Sequence, residues 1–174
     1  MGLIIDGTTI ATSANVYVDG VAVNNVYIDG TLVWTKAAAK SWKTAWSGSV
    51  ILDPYGIDSM NGSGDAGTVS ATVTGTISGS IIQVDGIYYQ DLFELSSGNV
   101  VDQQTETITA NKSTSSPAAM STYYASTTSI GAYLNKPTYS GATITLSAYT
   151  GYQVGYGSYM AVEYFEVTAV YYYA

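Results

Sequence analysis

Short apolar runs separated by Asp-Gly pairs set the pattern of this chain from its first residues. LIIDGTTI (Leu3–Ile10), VYVDGVAV (Val16–Val23) and VYIDGTLV (Val26–Val33) each place an Asp-Gly pair between two β-branched arms. Asp-Gly flanked by alternating apolar residues signals a hairpin, because a type I′ turn needs φ > 0 at both central residues and its twist matches the flanking strands. The pattern therefore predicts three minimal hairpins. Arms of about three residues bury no core alone, since an isolated hairpin is marginal in water. The segment needs a partner surface, either the rest of the chain or another molecule.

The pattern changes at TKAAAKSWKTAWSGS, where Lys36–Lys43 have the composition of about two helical turns. This stretch reads as a boundary: a β module over residues 1–35, a linker with a short helix over 36–45, and a larger domain over 46–174. Trp34, Trp42 and Trp46 bracket it, and each needs apolar burial and an N–H partner. Their simplest role is a local core that pins the module to the body. Further on, SVILD (49–53), TVSATVTGTI (68–77), IIQVDGIYYQDLFEL (81–95), TETITA (105–110), MSTYYAS (120–126), ATITLSAY (142–149) and MAVEYFEVTAVYYY (160–173) read as strands. Gly, Ser, Asn and Pro clusters separate them. The expected fold is all-β, an antiparallel β-sandwich of jelly-roll type.

Strict alternation in the last strand puts Val162, Tyr164, Glu166, Thr168 and Val170 on one face. Glu163, Phe165, Val167, Ala169 and Tyr171 fall on the other. Neither face is purely polar, so both are expected to be covered. With Tyr171, Tyr172 and Tyr173 at the end of the strand, the expectation is a homo-oligomer, with a trimer favoured.

Composition narrows the chemistry. Five Lys, no Arg and thirteen acidic residues give a net charge of −8, which leaves little to neutralise phosphates and argues against a nucleic-acid partner. Without His or Cys, His-based triads, thiol nucleophiles, disulfides and most metal sites are excluded. No apolar run approaches a membrane span, the N-terminus lacks a basic signal-peptide region, and Asp6 stands where a myristoylation motif wants Ser or Thr. These features imply a chain made in the cytoplasm, without anchor or cofactor.

An enzyme would have to use carboxylates such as Glu94, Glu106, Glu163 and Glu166. Glu163 and Glu166 fall on opposite faces of one strand, so those two do not converge on one sugar without a bulge. Asp58 and Asp65, in DSMNGSGDAG, resemble a calcium loop in composition but match no calcium-loop spacing, so a plain surface loop is the better reading. Asp6, Asp19, Asp29 and Asp85 are expected in turns for backbone reasons. Tyrosine makes up 17 of 174 residues. Tyr149, Tyr152, Tyr156 and Tyr159, spaced by Gly, suit either strand packing or a loop that stacks on sugar faces.

The phrase VYVDGVAVNNVYIDGTLVW resembles hairpin modules of tailed-bacteriophage structural proteins, with Val26, Tyr27, Asp29, Gly30, Val33 and Trp34 matching V-Y-x-[DN]-G-x-x-V-W. The resemblance implies a non-enzymatic virion protein, either a tail-fibre or baseplate appendage or a capsid decoration protein. Tyr17, Tyr27, Val33 and Trp34 would dock on other virion proteins. An appendage would add contact with host surface glycans through the tyrosine segment. A secreted carbohydrate-binding module is the alternative from another class.

Overall fold

The computed structural model describes the chain except residues 1, 2, 6, 7, 12, 13, 54–66, 126–131, 151 and 157; for residues 3–5, 8, 9 and 152–156 it describes the backbone alone. The described residues contain strands and no helix. They divide into two compact units, Met1–Lys40 and Ser41–Ala174.

The first unit consists of three two-stranded hairpins: β1 (Leu3–Ile5) with β2 (Thr8–Ile10), β3 (Val16–Val18) with β4 (Val21–Val23), and β5 (Asn25–Ile28) with β6 (Thr31–Thr35). The second and third turns behave as their dipeptides demand, and Asp6-Gly7 lies outside the described residues. Asp19 and Gly20 have φ of 50° and 78°, and Asp29 and Gly30 have 50° and 75°. Positive φ at both central positions is the type I′ geometry, which Asp tolerates and Gly adopts freely. Lys36 ties the end of β6 to earlier segments: its Nζ donates to Asn15 Oδ1 at 2.7 Å, and its backbone N–H to the Asn24 carbonyl at 2.7 Å.

The second unit is a β-sandwich. Its strands are β7 (Trp42–Leu52), β8 (Gly67–Thr74), β9 (Ile81–Glu94), β10 (Val100–Ile108), β11 (Thr122–Tyr124), β12 (Tyr133–Asn135), β13 (Thr138–Ser140), β14 (Thr143–Thr150), β15 (Tyr152–Tyr156) and β16 (Tyr159–Tyr173). In the first sheet β10, β9 and β16 lie side by side, and β15 and β7 share the far edge of β16. In the second, β8 lines one edge of β14, while β12 and β13 share the other and β11 lies beyond β12. Pro137, which has no N–H to give a ladder, separates β12 from β13.

The first strand of the unit pairs with the last, β7 with β16, and β8 pairs with β14. The chain is thus folded back on itself in jelly-roll manner. β9 departs from that nesting by taking its own hairpin neighbour, β10, on its free edge.

The two sheets meet over one core. Leu52, Ile82, Val84, Phe165, Val167 and Val170 come from the first, and Leu134, Ile144, Leu146 and Ala148 from the second. β14 shows the period of two most clearly, with Ile144, Leu146, Ala148 and Thr150 all buried. Phe165 has no exposed surface, and truncating a buried Phe to Ala typically costs about 3–5 kcal/mol.

Three local expectations give way to tertiary context. Lys36–Ser41 form no helix, and Trp42 already begins β7. Two turns of Ala and Lys are marginal alone, whereas Ser41 and Ala174 exchange backbone bonds of 2.9 and 3.2 Å, and the Trp42 ring meets the Tyr173 ring at 5.3 Å. Asp85-Gly86 makes no turn. It lies inside β9, paired with β16, with Gly86 at the end of the β10 pairing, and a Cβ on Gly86 would stand 2.5 Å from the Glu166 carbonyl oxygen.

The last strand does not alternate strictly. Both of its neighbours shift register between Val167 and Ala169, which leaves Thr168 in a bulge. An inserted residue flips the faces downstream, so Val170 joins Phe165 and Val167 in the core. Tyr172 follows it inward, and Ala169 and Tyr171 turn outward. On the outer face upstream, Met160, Val162 and Tyr164 are buried together with Phe93. The outer face is thus buried along residues 160–164, whereas Ile51, opposite Glu166, stays exposed.

Candidate functional site

The most unusual surface belongs to the hairpin unit. Its β-branched and aromatic arms carry more apolar side chains than two-stranded ribbons can cover. Tyr17 is 60% exposed and Tyr27 58%, with Val18, Val21, Ile28, Leu32 and Val33 also open to solvent. Tyr27 and Leu32 face each other across β5 and β6 and form an exposed cross-strand pair. Trp34 behaves differently: it is buried, and its indole N–H has no hydrogen-bond partner among the described residues. Of the four residues expected to dock, Tyr17, Tyr27 and Val33 are available, and Trp34 is not.

The tyrosine run of 149–159 is divided between the sheets. Tyr149 lies one residue before the end of β14, where its ring stacks on Tyr133 at 5.0 Å and 10°. Tyr152 and Tyr156 lie in β15, in the other sheet, and their side chains lie outside the described residues. Tyr159 opens β16 opposite Glu94 and is exposed. The segment is therefore a crossing from β14 to the β15–β16 hairpin, and the four residues lie in three strands of two sheets.

The terminal tyrosines are engaged within the chain. Tyr171 donates its hydroxyl to Asp85 Oδ2 at 2.8 Å and lies under Lys112, whose Nζ is 3.7 Å from the ring centre. Tyr172 is buried, and Tyr173 packs on Trp42. Each of the three is thus paired or buried within the chain.

The carboxylates form separate polar clusters. On the core side of the first sheet, Glu163 is fully buried. Its Oε1 accepts from Tyr88 Oη at 2.8 Å and from Gln90 Nε2 at 3.3 Å, while Oε2 has no partner among the described residues. Burial pushes its carboxyl above the ordinary range, against the pull of those two bonds. Burial and the neighbouring Glu163 in turn hold the Tyr88 hydroxyl protonated far into alkali. Tyr123 is raised too, by burial and by Glu106 beside it.

On the outer face, Glu166 accepts from Ser49 Oγ at 2.7 Å and Tyr89 Oη at 3.1 Å. Buried Asp91 accepts from Gln103 Nε2 at 2.7 Å and Tyr164 Oη at 3.2 Å. Tyr89 and Tyr164 stack between these bonds at 4.7 Å and 9°. Glu163 and Glu166 therefore do lie on opposite faces, and Glu94 accepts from Ser97 at 2.6 Å.

Asp85 anchors the segment that follows β10. It accepts the Ala110 N–H at 2.7 Å, the Tyr171 hydroxyl, and Lys112 Nζ at 3.2 Å. Burial alone would raise this carboxyl, but the three donors outweigh it and hold it below its ordinary value. Trp42 Nε1 reaches the Ser113 carbonyl at 3.4 Å, so the same segment is held at a second point. Sequence reasoning assigned Asp85 to a turn and missed its partners, which lie 25 to 86 positions away.

Among the described residues no three metal-ligating side chains converge. Asp58 and Asp65 lie outside the described residues. Compared with protein-family models, curated proteins and solved structures, the chain gives no match.

Proposed function

We propose that this protein is a structural component of a bacteriophage virion, acting by assembly and not by catalysis. In this reading residues 1–40 dock on a neighbouring virion protein and the sandwich forms the projecting body. The observation that carries it is the set of exposed apolar side chains on two tight hairpins, above all Tyr17, Tyr27 and Leu32. Aromatic and aliphatic groups on a rigid, low-entropy ribbon are what an interface core uses. Scattered apolar residues are normal on any surface, but a small unit with this many points to an interaction surface.

The sandwich fits the role of a body. Asp85, Asp91, Glu94, Glu163 and Glu166 are bound by hydroxyl, amide and ammonium donors within it, which suits a cohesive scaffold better than a reaction centre. The station follows less directly. A tail or baseplate appendage that touches host glycans was expected to use the tyrosine segment as one platform. Its division between two sheets favours the alternative, a capsid decoration protein that needs surface complementarity and no sugar site.

The test is removal of the docking unit. A chain lacking residues 1–40 should give a soluble 41–174 domain with a native near-ultraviolet spectrum that no longer joins particles. If the shortened chain still joins particles, the dock lies elsewhere. If it does not fold, the hairpins serve the sandwich.

A further inference from the structure

β9 extends past the end of β10. Ile108 pairs with Gly86, so Ile81–Asp85 pair with β16 on one side and, among the described residues, with no strand on the other. The segment 109–121 returns along this free edge, with Gln83 Nε2 donating to the Ala118 carbonyl. It does not seal the edge as a strand would, and a cleft of about 220 Å³ remains between them.

The cleft has apolar walls and a few neutral polar side chains, with the hydroxyl-bearing Thr109, Thr122 and Tyr123 among its lining residues. Val84, Ile108, Met120 and the Tyr123 ring line it, Asn111 adds an amide, and no charged side chain does so. Gln83 also lines it. This side chain is 4% exposed, and its Oε1 has no hydrogen-bond partner among the described residues. Buried carbonyl oxygens are almost always paired in folded proteins, because an unpaired one forfeits its hydration without return. A donor brought by a ligand would restore that bond.

We propose that this cleft is a binding site for a small neutral molecule with an apolar, ring-sized body and one O–H or N–H group, which donates to Gln83 Oε1. The volume lies below the roughly 300–1,000 Å³ of pockets that take drug-sized ligands, so a single ring is the matching size. The absence of lining charge selects against ions. Lys112, the cation nearest in sequence to the lining residues Ala110 and Asn111, is held by Asp85 and the Tyr171 ring. The proposal is independent of the docking unit.

The test is a titration of the isotopically labelled full chain with benzyl alcohol and, separately, with toluene, read by amide chemical shifts. Benzyl alcohol should produce saturable shifts at the Gln83 side-chain amide and along Ala118–Tyr123. Toluene, which lacks the donor, should bind about tenfold more weakly, as loss of one hydrogen bond predicts. Gln83→Met keeps the bulk and removes the acceptor, so it should bind the two equally. If Gln83→Met loses the native spectrum, Met120→Trp, which fills the cleft from another wall, should abolish binding of both. Failure of benzyl alcohol to saturate, equal affinities in the native chain, or binding that survives Met120→Trp would each overturn the proposal and leave a crevice that holds only water.

Discussion

Tyr88 donates its hydroxyl to Glu163 at 2.8 Å between two strands whose residues are 75 positions apart, and both side chains are buried. No cation accompanies this carboxylate among its hydrogen-bond partners, Tyr88 and Gln90. Its position sets the sign of a pH effect. Burial raises the native carboxyl above the ordinary 4.5, so the folded state holds this proton more tightly than the unfolded chain. The contribution to stability is complete below the unfolded value and is lost as pH rises through the raised native one.

The comparison that isolates this effect is Glu163→Gln against the native chain in urea denaturation from pH 4 to 8. The difference in stability should move steadily in favour of the glutamine variant as pH rises. A difference that stays constant across the range would show that Glu163 titrates normally in the folded protein.

Asp85 should behave with the opposite sign. Its native carboxyl lies below the ordinary 3.8, so its contribution is present above that value and is lost as pH falls through the lowered native one. Asp85→Ala leaves the Ala110 N–H and the Tyr171 hydroxyl without their acceptor and should cost about 1–3 kcal/mol. The exposed bond to Lys112 adds little to that figure. Hydrogen exchange is the local readout. The Ala110 amide should lose protection in the variant while Phe165 and Val167 keep most of theirs, and equal loss at all three would mean the segment is not separately anchored.

The two kinds of Asp-Gly pair respond differently to alanine. At Gly86 a Cβ would press on the Glu166 carbonyl oxygen, and backbone cannot swing away, so Gly86→Ala should cost about 1–3 kcal/mol or more in the stability of the sandwich. Gly30 has open space around it but a φ of 75°. Gly30→Ala therefore strains only its own turn, by about 1–2 kcal/mol. Amide exchange should show the β5–β6 hairpin fraying while Phe165 in β16 stays protected. An unchanged sandwich in Gly86→Ala would refute the close approach.

This contrast shows what the sequence makes legible. Asp19-Gly20 and Asp29-Gly30 were readable because the turn requirement is local: two residues with φ > 0 between short β-branched arms. The all-β class followed from the same kind of signal, repeated along the chain. Asp85-Gly86 misled because one dipeptide serves two needs, a positive φ in a turn and a missing Cβ in a crowded sheet. The helix expected over Lys36–Lys43 failed for a related reason, since the pairing of Trp42 with Tyr173 lies beyond any local window.

The Thr168 bulge was also invisible, because a period of two says nothing about an extra residue in one strand. Without it, Val170 falls on the wrong face and the last strand looks doubly apolar along its whole length. The candidate cleft had no sequence signal either. Gln83, Ala118 and Tyr123 meet only because β9 outruns β10, a fact of register and not of composition.

The exposed apolar side chains of the hairpin unit carry the docking role proposed for it. Replacing Tyr17, Val21, Tyr27 and Leu32 together by Ser leaves the Asp-Gly turns and the sandwich core untouched, so the variant should stay soluble and folded. The decisive measurement is the amount of native and variant chain in purified phage particles, determined by quantitative mass spectrometry. The account predicts a fixed stoichiometry for the native chain and loss of at least nine-tenths of it for the variant, since an interface core of this kind carries most of the binding energy. Equal amounts of both chains in the particles, or absence of the native chain from them, would contradict it.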